Sequence, residues 1–510
     1  MTPAISLVAL ALIVVVIAYS IRPLTLQVLR LSKPSSFPLV NGKRPFELTN
    51  GRPKKLFIVK AGDMISNRLA QVPGLPFRML ADVGEILILP AKYAHEIRNH
   101  DELSITQASF KWFYAHLPGF EGFREGTNES YAMKHVAMHQ LTHQLTLVTK
   151  PVSDECKVAL QEIYTDNEAW HEVVAKEVNL QLIARITSRV FLGLKMCRNP
   201  QWLRIMSTYT TVAFQAVEEL RLWPHWLRST AQWFLPHCTS ARALVQEARD
   251  LINPLIEARR YEKAAAAERG AKCEYNDAIE WLEQTAREKH VSYDPACAQL
   301  SLSMGALHTT TDFLTQAMLD IASHPELIEP LREEIIAVLS QSGWSKHSLY
   351  SLKLMDSVLK ESQRMKPISV ASMRRFTTAD VNLADGTVLP KNKFVLVSVE
   401  KHWNPETYVD PHTFDGYRFF NMRQQPGKEN TSQLVSASPN HMGFGYGLHV
   451  CPGRFFASVE IKLALCHMLL MYDFKLVPGS NVEPRKFGLN MNANPTAKLA
   501  VRRRTEEIAF

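Results

Sequence analysis

The segment from Phe444 to Ala457, FGYGLHVCPGRFFA, restricts the backbone more than any other stretch of the chain. Glycines at 445, 447 and 453 permit a tight loop, and the pattern over 453–471 reads as a helix. Cys451 therefore stands just ahead of a helix N-terminus, where backbone amides favour an anion and the sulfur can persist as a thiolate. A lone thiolate so placed suits an axial metal ligand. Taken by itself, Cys451 is equally well an ordinary buried thiol, because free cysteine is among the most buried residue types.

The other cysteines, at 156, 197, 238, 273, 297 and 466, are widely spaced and form no CxxC pair, so neither a disulfide framework nor a zinc site is indicated. A reducing compartment fits that usage. With 510 residues, 46% apolar and 21% charged, the chain can bury a large core, which excludes disorder, collagen and a small disulfide scaffold. The 58 Lys+Arg against 50 Asp+Glu leave a net charge of +8. It is spread along the chain rather than gathered in runs, which argues against a nucleic-acid arm and favours a membrane surface or an acidic protein partner.

From Ala4 to Ile21 the chain runs for 18 residues without a charge, enough for about 27 Å of helix and one bilayer crossing. A cleaved secretory signal is the alternative, but no Lys or Arg precedes the run. Residues 1–21 are read as a transmembrane anchor and 22–45, with Pro34, Pro38 and Pro45, as a Pro-rich hinge. Residues 46–510 are read as one large domain. Arg22, Arg30, Lys33, Lys43 and Arg44 follow the run and place that domain on the cytoplasmic side. The sequons at Asn128 and Asn430 are then expected to stay unglycosylated.

The periodicity predicts long helices over 134–150, 154–190, 240–268, 295–323, 325–340, 350–364 and 453–471. Strands are expected at Leu56–Lys60, Glu85–Leu89, Val381–Leu383, Thr387–Leu389 and Phe394–Val399. The expected fold class is mainly α with a small β lobe.

Three further patterns accompany the cysteine loop. Glu361 and Arg364 lie three apart on one helix face, and Arg418 in FDGYRF supplies a second guanidinium that could close a charge network. A solvated surface pair is the ordinary fate of such residues. The segment GALHTTTD interrupts an apolar helix at Gly305, Ala306, His308 and Thr309. There a hydroxyl bonded four residues back loosens the helix ladder, and a missing Cβ lets a flat ligand approach. Threonines that merely satisfy themselves in a buried helix are the plainer reading.

In this combination, order and spacing the chain resembles the cytochrome P450 family of heme-thiolate monooxygenases, over essentially its whole length after the anchor. In detail it is similar to fungal secondary-metabolism members such as ent-kaurene oxidase and the indole-diterpene monooxygenases, through HTTTDFLTQ, LKESQRM and GYGLHVCPGRFFASVEIK. The resemblance implies the P450 fold, and makes 46–510 a heme-thiolate catalytic domain anchored in the endoplasmic reticulum membrane as a single-pass protein. It implies heme b with Cys451 as the iron ligand, held in a loop that includes Phe444, Gly447 and Gly453. Glu361, Arg364 and Arg418 become a structural triad. Arg375 and His449 are implied propionate partners, with histidine where most of the family has arginine. The family's Trp-x-x-x-Arg is not visible, and Lys134 and His135 are the candidate replacements.

Thr309 falls at the family's oxygen-activating threonine, and Gly305 with Ala306 would line the groove beside bound oxygen. His308 stands where an acid is usual, so a proton relay through it is expected to titrate near neutrality. No flavin- or nicotinamide-type GxGxxG follows a strand, so the implied electrons come from NADPH through a separate cytochrome P450 reductase, with cytochrome b5 a second donor. The expected pocket residues are Phe110, Trp112, Phe214, Ile368 and Val370, an apolar set suited to a lipophilic ligand. A terpenoid or prenylated indole is the expected substrate class, a polyketide or cyclic dipeptide the alternative. Oxidative ring formation, desaturation or coupling stays open beside oxygen insertion, and a non-catalytic heme sensor is the remote reading.

Overall fold

Asp294 accepts the Cys297 amide at 3.1 Å, Pro295 opens the first turn, and the apolar run that follows forms a helix over Pro295–Ser323. Most of its residues are buried around the whole circumference, as expected of a helix running through the centre of a domain. Helices Leu145–Tyr164, Ala175–Phe191, Pro200–Leu222, Pro236–Glu268 and Arg454–Met471 complete a single helical core with it. The Glu121–Thr127 helix presses on it closely: a Cβ on Gly122 would stand 2.8 Å from Met304 Sδ.

The computed structural model describes residues 37–127 and 132–508, without the side chains at 132 and 134. The anchor expected over 1–21, residues 22–36 of the expected hinge and the Asn128 sequon lie outside the described residues. Among the described residues no helix is long and apolar enough to cross a membrane. The end of the expected hinge is docked on the sheet. The amide of Val40 donates to Arg78 O at 3.0 Å and that of Arg78 to Pro38 O at 2.8 Å.

The β lobe is a five-stranded sheet ordered Phe77–Ala81, Gly84–Leu89, Phe394–Ser398, Ala371–Thr377, Leu103–Ser104. Only the pairing of Gly84–Leu89 with Phe394–Ser398 is parallel within it. One face carries Leu87, Met373, Val395 and Met442, the other Phe77, Trp112, Ala371 and Leu396. A three-stranded sheet joins His171–Val174 and Tyr472–Leu476 to the C-terminal strand Lys498–Arg503.

Several expectations are corrected. Leu56–Lys60 is helical, inside Gly51–Gln71, because Pro53, Phe57, Ala61, Ile65 and Leu69 are buried at four-residue spacing. The helix expected over 154–190 is two helices, separated by Thr165 at φ +64° and the strand His171–Val174. Over 134–150 short helical segments, including a π-helical turn at Val136–Gln140, replace one continuous helix. Helices Pro200–Leu222 and Ala278–Glu288 were not anticipated.

Candidate active site

Gly305 and Thr309 are exposed in mid-helix, although Leu307, Thr310 and the flanking turns are buried. A Cβ on Gly305 would meet nothing within 4 Å. The helix thus presents an open strip inside the domain. At its centre the Thr309 hydroxyl donates to the Gly305 carbonyl at 2.8 Å, leaving its oxygen able to accept a further proton donor.

The cysteine loop lies on the neighbouring Arg454–Met471 helix, which packs against the Pro295–Ser323 helix. The Cys451 amide donates to Phe444 O at 2.8 Å, the Gly445 amide to Met442 O at 2.9 Å and the Leu448 amide to Asn99 Oδ1 at 2.7 Å. Gly447 at φ +83° lets the backbone touch Arg98: a Cβ there would stand 2.5 Å from Arg98 Cβ. Cys451 is half-buried. Burial pushes its thiol up, while the Gly453 and Arg454 amides and the Arg454 charge pull the other way without overcoming it. The helix terminus alone does not hold a thiolate here. A metal cation at the sulfur would.

Beneath the loop, Glu361 and Arg364 are fully buried, and Arg418 nearly so. Arg364 donates Nε and Nη2 to the two carboxylate oxygens at 2.8 Å each, and Arg418 Nε bridges the same oxygens at 3.0 and 3.1 Å. The Asp415 amide adds a bond at 3.1 Å. From Arg364 a short path leads to the cysteine loop. His402 Nδ1 lies 3.1 Å from Arg364 O, and the Met442 amide donates to His402 Nε2 at 3.0 Å. That amide fixes Nε2 as the acceptor, so Nδ1 carries the proton.

Burial pulls His402 down to about 3, whereas the unfolded ring protonates near pH 6.5. In that window the unfolded chain binds the extra proton, so this contribution to stability is complete above about pH 6.5 and is lost as pH falls towards about 3. Acidification from pH 7.5 to 5 is therefore expected to cost the wild type about 2 kcal/mol more than His402→Gln in denaturant melts. Equal losses would mean that the folded ring is readily protonated.

The other expected residues are placed as follows. His308 Nε2 lies 3.2 Å from Ser207 O on the Pro200–Leu222 helix. Burial lowers its pKa, so the titration expected near neutrality is displaced downward and the ring ties two helices as a neutral donor. Ala306 and Phe444 pack against the same helical core. Arg375 is buried and donates Nη1 to Arg374 O at 2.9 Å, while Nη2 has no hydrogen-bond partner. His449 is half-buried in the loop's 3-10 turn and Gly453 precedes the Arg454–Met471 helix. The His135 ring lies 4.8 Å from that of His139, with Lys289 and Glu288 the charges around it.

Among the pocket residues, Phe214 meets Phe113 and Phe123 edge-on, at 5.7 and 5.4 Å between centroids, and is 41% exposed. Phe110 packs beside the same helical core. Ile368 and Val370 are backbone-paired to the C-terminal turn, Met491 N to Ile368 O at 2.8 Å and Val370 N to Leu489 O at 2.9 Å. Trp112 departs from the expectation of an open lining residue. It is buried in the sheet-side core with its ring edge-on to Phe394, because the apolar sheet face takes it up. Two residues of the site were not anticipated. His402 shows its role only once the fold joins it to Met442, and Arg374 was passed over beside Arg375. Adjacent arginines in a strand face opposite ways, and that signal was available.

The residues present fit a heme. Cys451 offers a soft donor, the strip at Gly305 leaves room for a flat ring, and the unpartnered Nη2 of Arg375 suits a propionate carboxylate.

The family described as Cytochrome P450 matches residues 104–501. Cytochrome P450 monooxygenase 1 of Gibberella fujikuroi is 72% identical over 438 residues, 86% of this chain and 100% of that protein. Cytochrome P450 monooxygenase hepE of Aspergillus oryzae is 47% identical, covering 92% of this chain and 86% of its own length. The retinoic acid-bound cyanobacterial CYP120A1 shares the fold at a TM-score of 0.63 and 18% identity, over 88% of this chain and 96% of that one. A match of this extent, with the cysteine loop and the buried triad in place, makes the chain a member of the cytochrome P450 monooxygenases, whose shared cofactor is a heme bound through a cysteine thiolate.

Proposed function

We propose that this chain is a membrane-anchored monooxygenase of fungal secondary metabolism that oxidises a lipophilic terpenoid or prenylated indole. The observation that carries the reading is the open strip at Gly305 and Thr309 in an otherwise buried helix, beside a cysteine loop braced by a buried triad. Named relatives such as adrA of Penicillium rubens and ptmU of Penicillium ochrochloron, at 46% and 42% identity, support a fungal biosynthetic setting. When bound, heme supplies dioxygen activation and transfer of one oxygen atom to a carbon centre.

The chain's own residues do the rest. Cys451 would ligate the iron, and Arg375 and His449 would hold the propionates. Gly305 and Ala306 leave room for the gas ligand. Thr309 would serve the proton path by holding water: its hydroxyl donates to Gly305 O, its oxygen accepts from water, and it can pass a proton onward only by turning away from Gly305 O. The aromatic rings around Phe214 and the Ile368–Val370 segment orient an apolar body. The electron donor is an NADPH-cytochrome P450 reductase, with cytochrome b5 a second candidate. The location is the endoplasmic reticulum membrane, with the catalytic domain in the cytoplasm.

Microsomes containing the protein and a reductase, supplied with NADPH, labelled dioxygen and a panel of diterpenes, with and without a carboxylate, and prenylated indoles, test the reading. One labelled oxygen in the product is expected. Substrate loss without label would transfer the assignment to ring formation, desaturation or coupling. Thr309→Ala is expected to keep the heme spectrum while product per NADPH falls about 10- to 100-fold and hydrogen peroxide rises. Thr309→Ser, which keeps the hydroxyl, should restore coupling; unchanged coupling in Thr309→Ala would remove Thr309 from the proton path.

A further inference from the structure

Arg374 has features that structural packing alone does not account for. The strand Ala371–Thr377 slips register between Ser372 and Arg375, and Met373 between them sits at φ +52°. A bulge of this kind re-aims a side chain at some cost in strain. Arg374 lies within this irregular stretch, and its guanidinium lies over two aromatic rings, 4.5 Å from the Trp112 centroid and 5.1 Å from that of Phe113. Phe113 stacks on Phe123 at 4.5 Å and both meet Phe214 edge-on, so the cation stands at one end of the aromatic cluster. The Glu121–Thr127 helix that carries Phe123 touches Met304, next to Gly305.

That cation is uncompensated. Its Nε is sealed without a hydrogen-bond partner, and among the described residues no carboxylate lies within ion-pair distance of it. Asp82 is an acid whose charge acts on Arg374, and Arg221 takes that acid: Arg221 Nη1 donates to Asp82 Oδ2 and Nη2 to Trp112 O at 3.0 Å. Arg221 is thus a second guanidinium pushing on Arg374 rather than a partner for it. Burial and that neighbour pull Arg374 down to about 10, which leaves it charged at neutral pH. Arg374 as a whole residue is nonetheless half-buried, although its Nε is closed to solvent.

We infer that Arg374 is a specificity-determining residue that anchors an acceptor oxygen of the substrate, a carboxylate held most strongly, while the rings of Phe113, Phe123 and Phe214 take the apolar body. A substrate with no oxygen at that point would strip water from the guanidinium and leave it unpaired, so the same residue that selects lipophilic acids rejects plain hydrocarbons. The inference deepens the proposed function and rests on it for the site.

Spin-state titration of the heme-loaded protein tests it, with abietic acid, methyl abietate and the hydrocarbon abietadiene as probes. The wild type is expected to bind the acid about 10- to 100-fold more tightly than the hydrocarbon, with the ester between. Arg374→Gln should erase that preference and Arg374→Lys should keep part of it, all three proteins showing the same carbon-monoxide band. Equal affinity of the wild type for acid and hydrocarbon, including no detectable shift with either, would overturn the inference, as would a preference that survives Arg374→Gln. A heme band lost in Arg374→Gln but kept in Arg374→Lys would also overturn it, by assigning the guanidinium to the heme. Failure of the proposed function itself would show differently, as a missing thiolate band in the wild type.

Discussion

Glu361→Ala is expected to yield no heme-loaded protein. The carboxylate is fully buried and accepts from Arg364, Arg418 and the Asp415 amide. Its removal leaves two guanidiniums in the interior without a counter-charge. Breaking a buried pair in this way costs about 3–5 kcal/mol, a large part of the roughly 5–15 kcal/mol that holds a folded protein together. The damage also reaches the site, because Arg364 Nη1 donates to the carbonyls of His402 and Pro411, and His402 in turn receives the Met442 amide at the base of the cysteine loop. Heme content per unit protein after purification is the measurement. Normal heme content in Glu361→Ala would refute the structural role given to the triad.

Gly447→Ala is expected to be nearly as damaging, for a reason confined to one backbone contact. Gly447 adopts φ +83°, and an added Cβ would meet Arg98 Cβ at 2.5 Å and the Arg98 carbonyl oxygen at 2.9 Å. The carbonyl is main chain, fixed where the Ala94–Ile97 helix ends, so it cannot swing aside. Either the loop lifts, losing the bond from the Leu448 amide to Asn99 Oδ1, or the backbone takes a strained conformation; both routes cost a few kcal/mol. Because Cys451 lies four residues on, the expected result is a fall of about 10-fold or more in the thiolate-ligated fraction. Carbon-monoxide spectra normalised to total heme measure that fraction. A wild-type fraction would show that the loop does not need its approach to Arg98.

The same residues explain how much was legible beforehand. The cysteine loop and the Pro295–Ser323 helix carry their instructions locally, in glycines, in Pro295 and in the Asp294 cap, and the helix limits agree with the pattern to the residue. Leu56–Lys60 shows the limit of a short window. Four apolar positions ahead of Lys60 resemble a strand until the four-residue spacing from Pro53 to Leu69 is taken as a whole. The break at Thr165 depends on one residue in the left-handed region, which nothing in its identity announces. The site divides in the same way. Cys451, Thr309 and the Glu361 network are motif residues, whereas His402 acts through partners 38 and 40 positions away. Arg374 and Arg375 are the same residue type side by side; strand alternation sends them to opposite faces, and the irregular register between Ser372 and Arg375 adds a local distortion that the sequence does not announce.

The most direct test of the account is the reduced, carbon-monoxide-bound absorption spectrum of membranes containing the full chain, beside those containing Cys451→Ala. The account predicts a red-shifted Soret band that depends on Cys451 and is absent from the variant. A folded wild-type protein that binds no heme, or a band unchanged by Cys451→Ala, would contradict it.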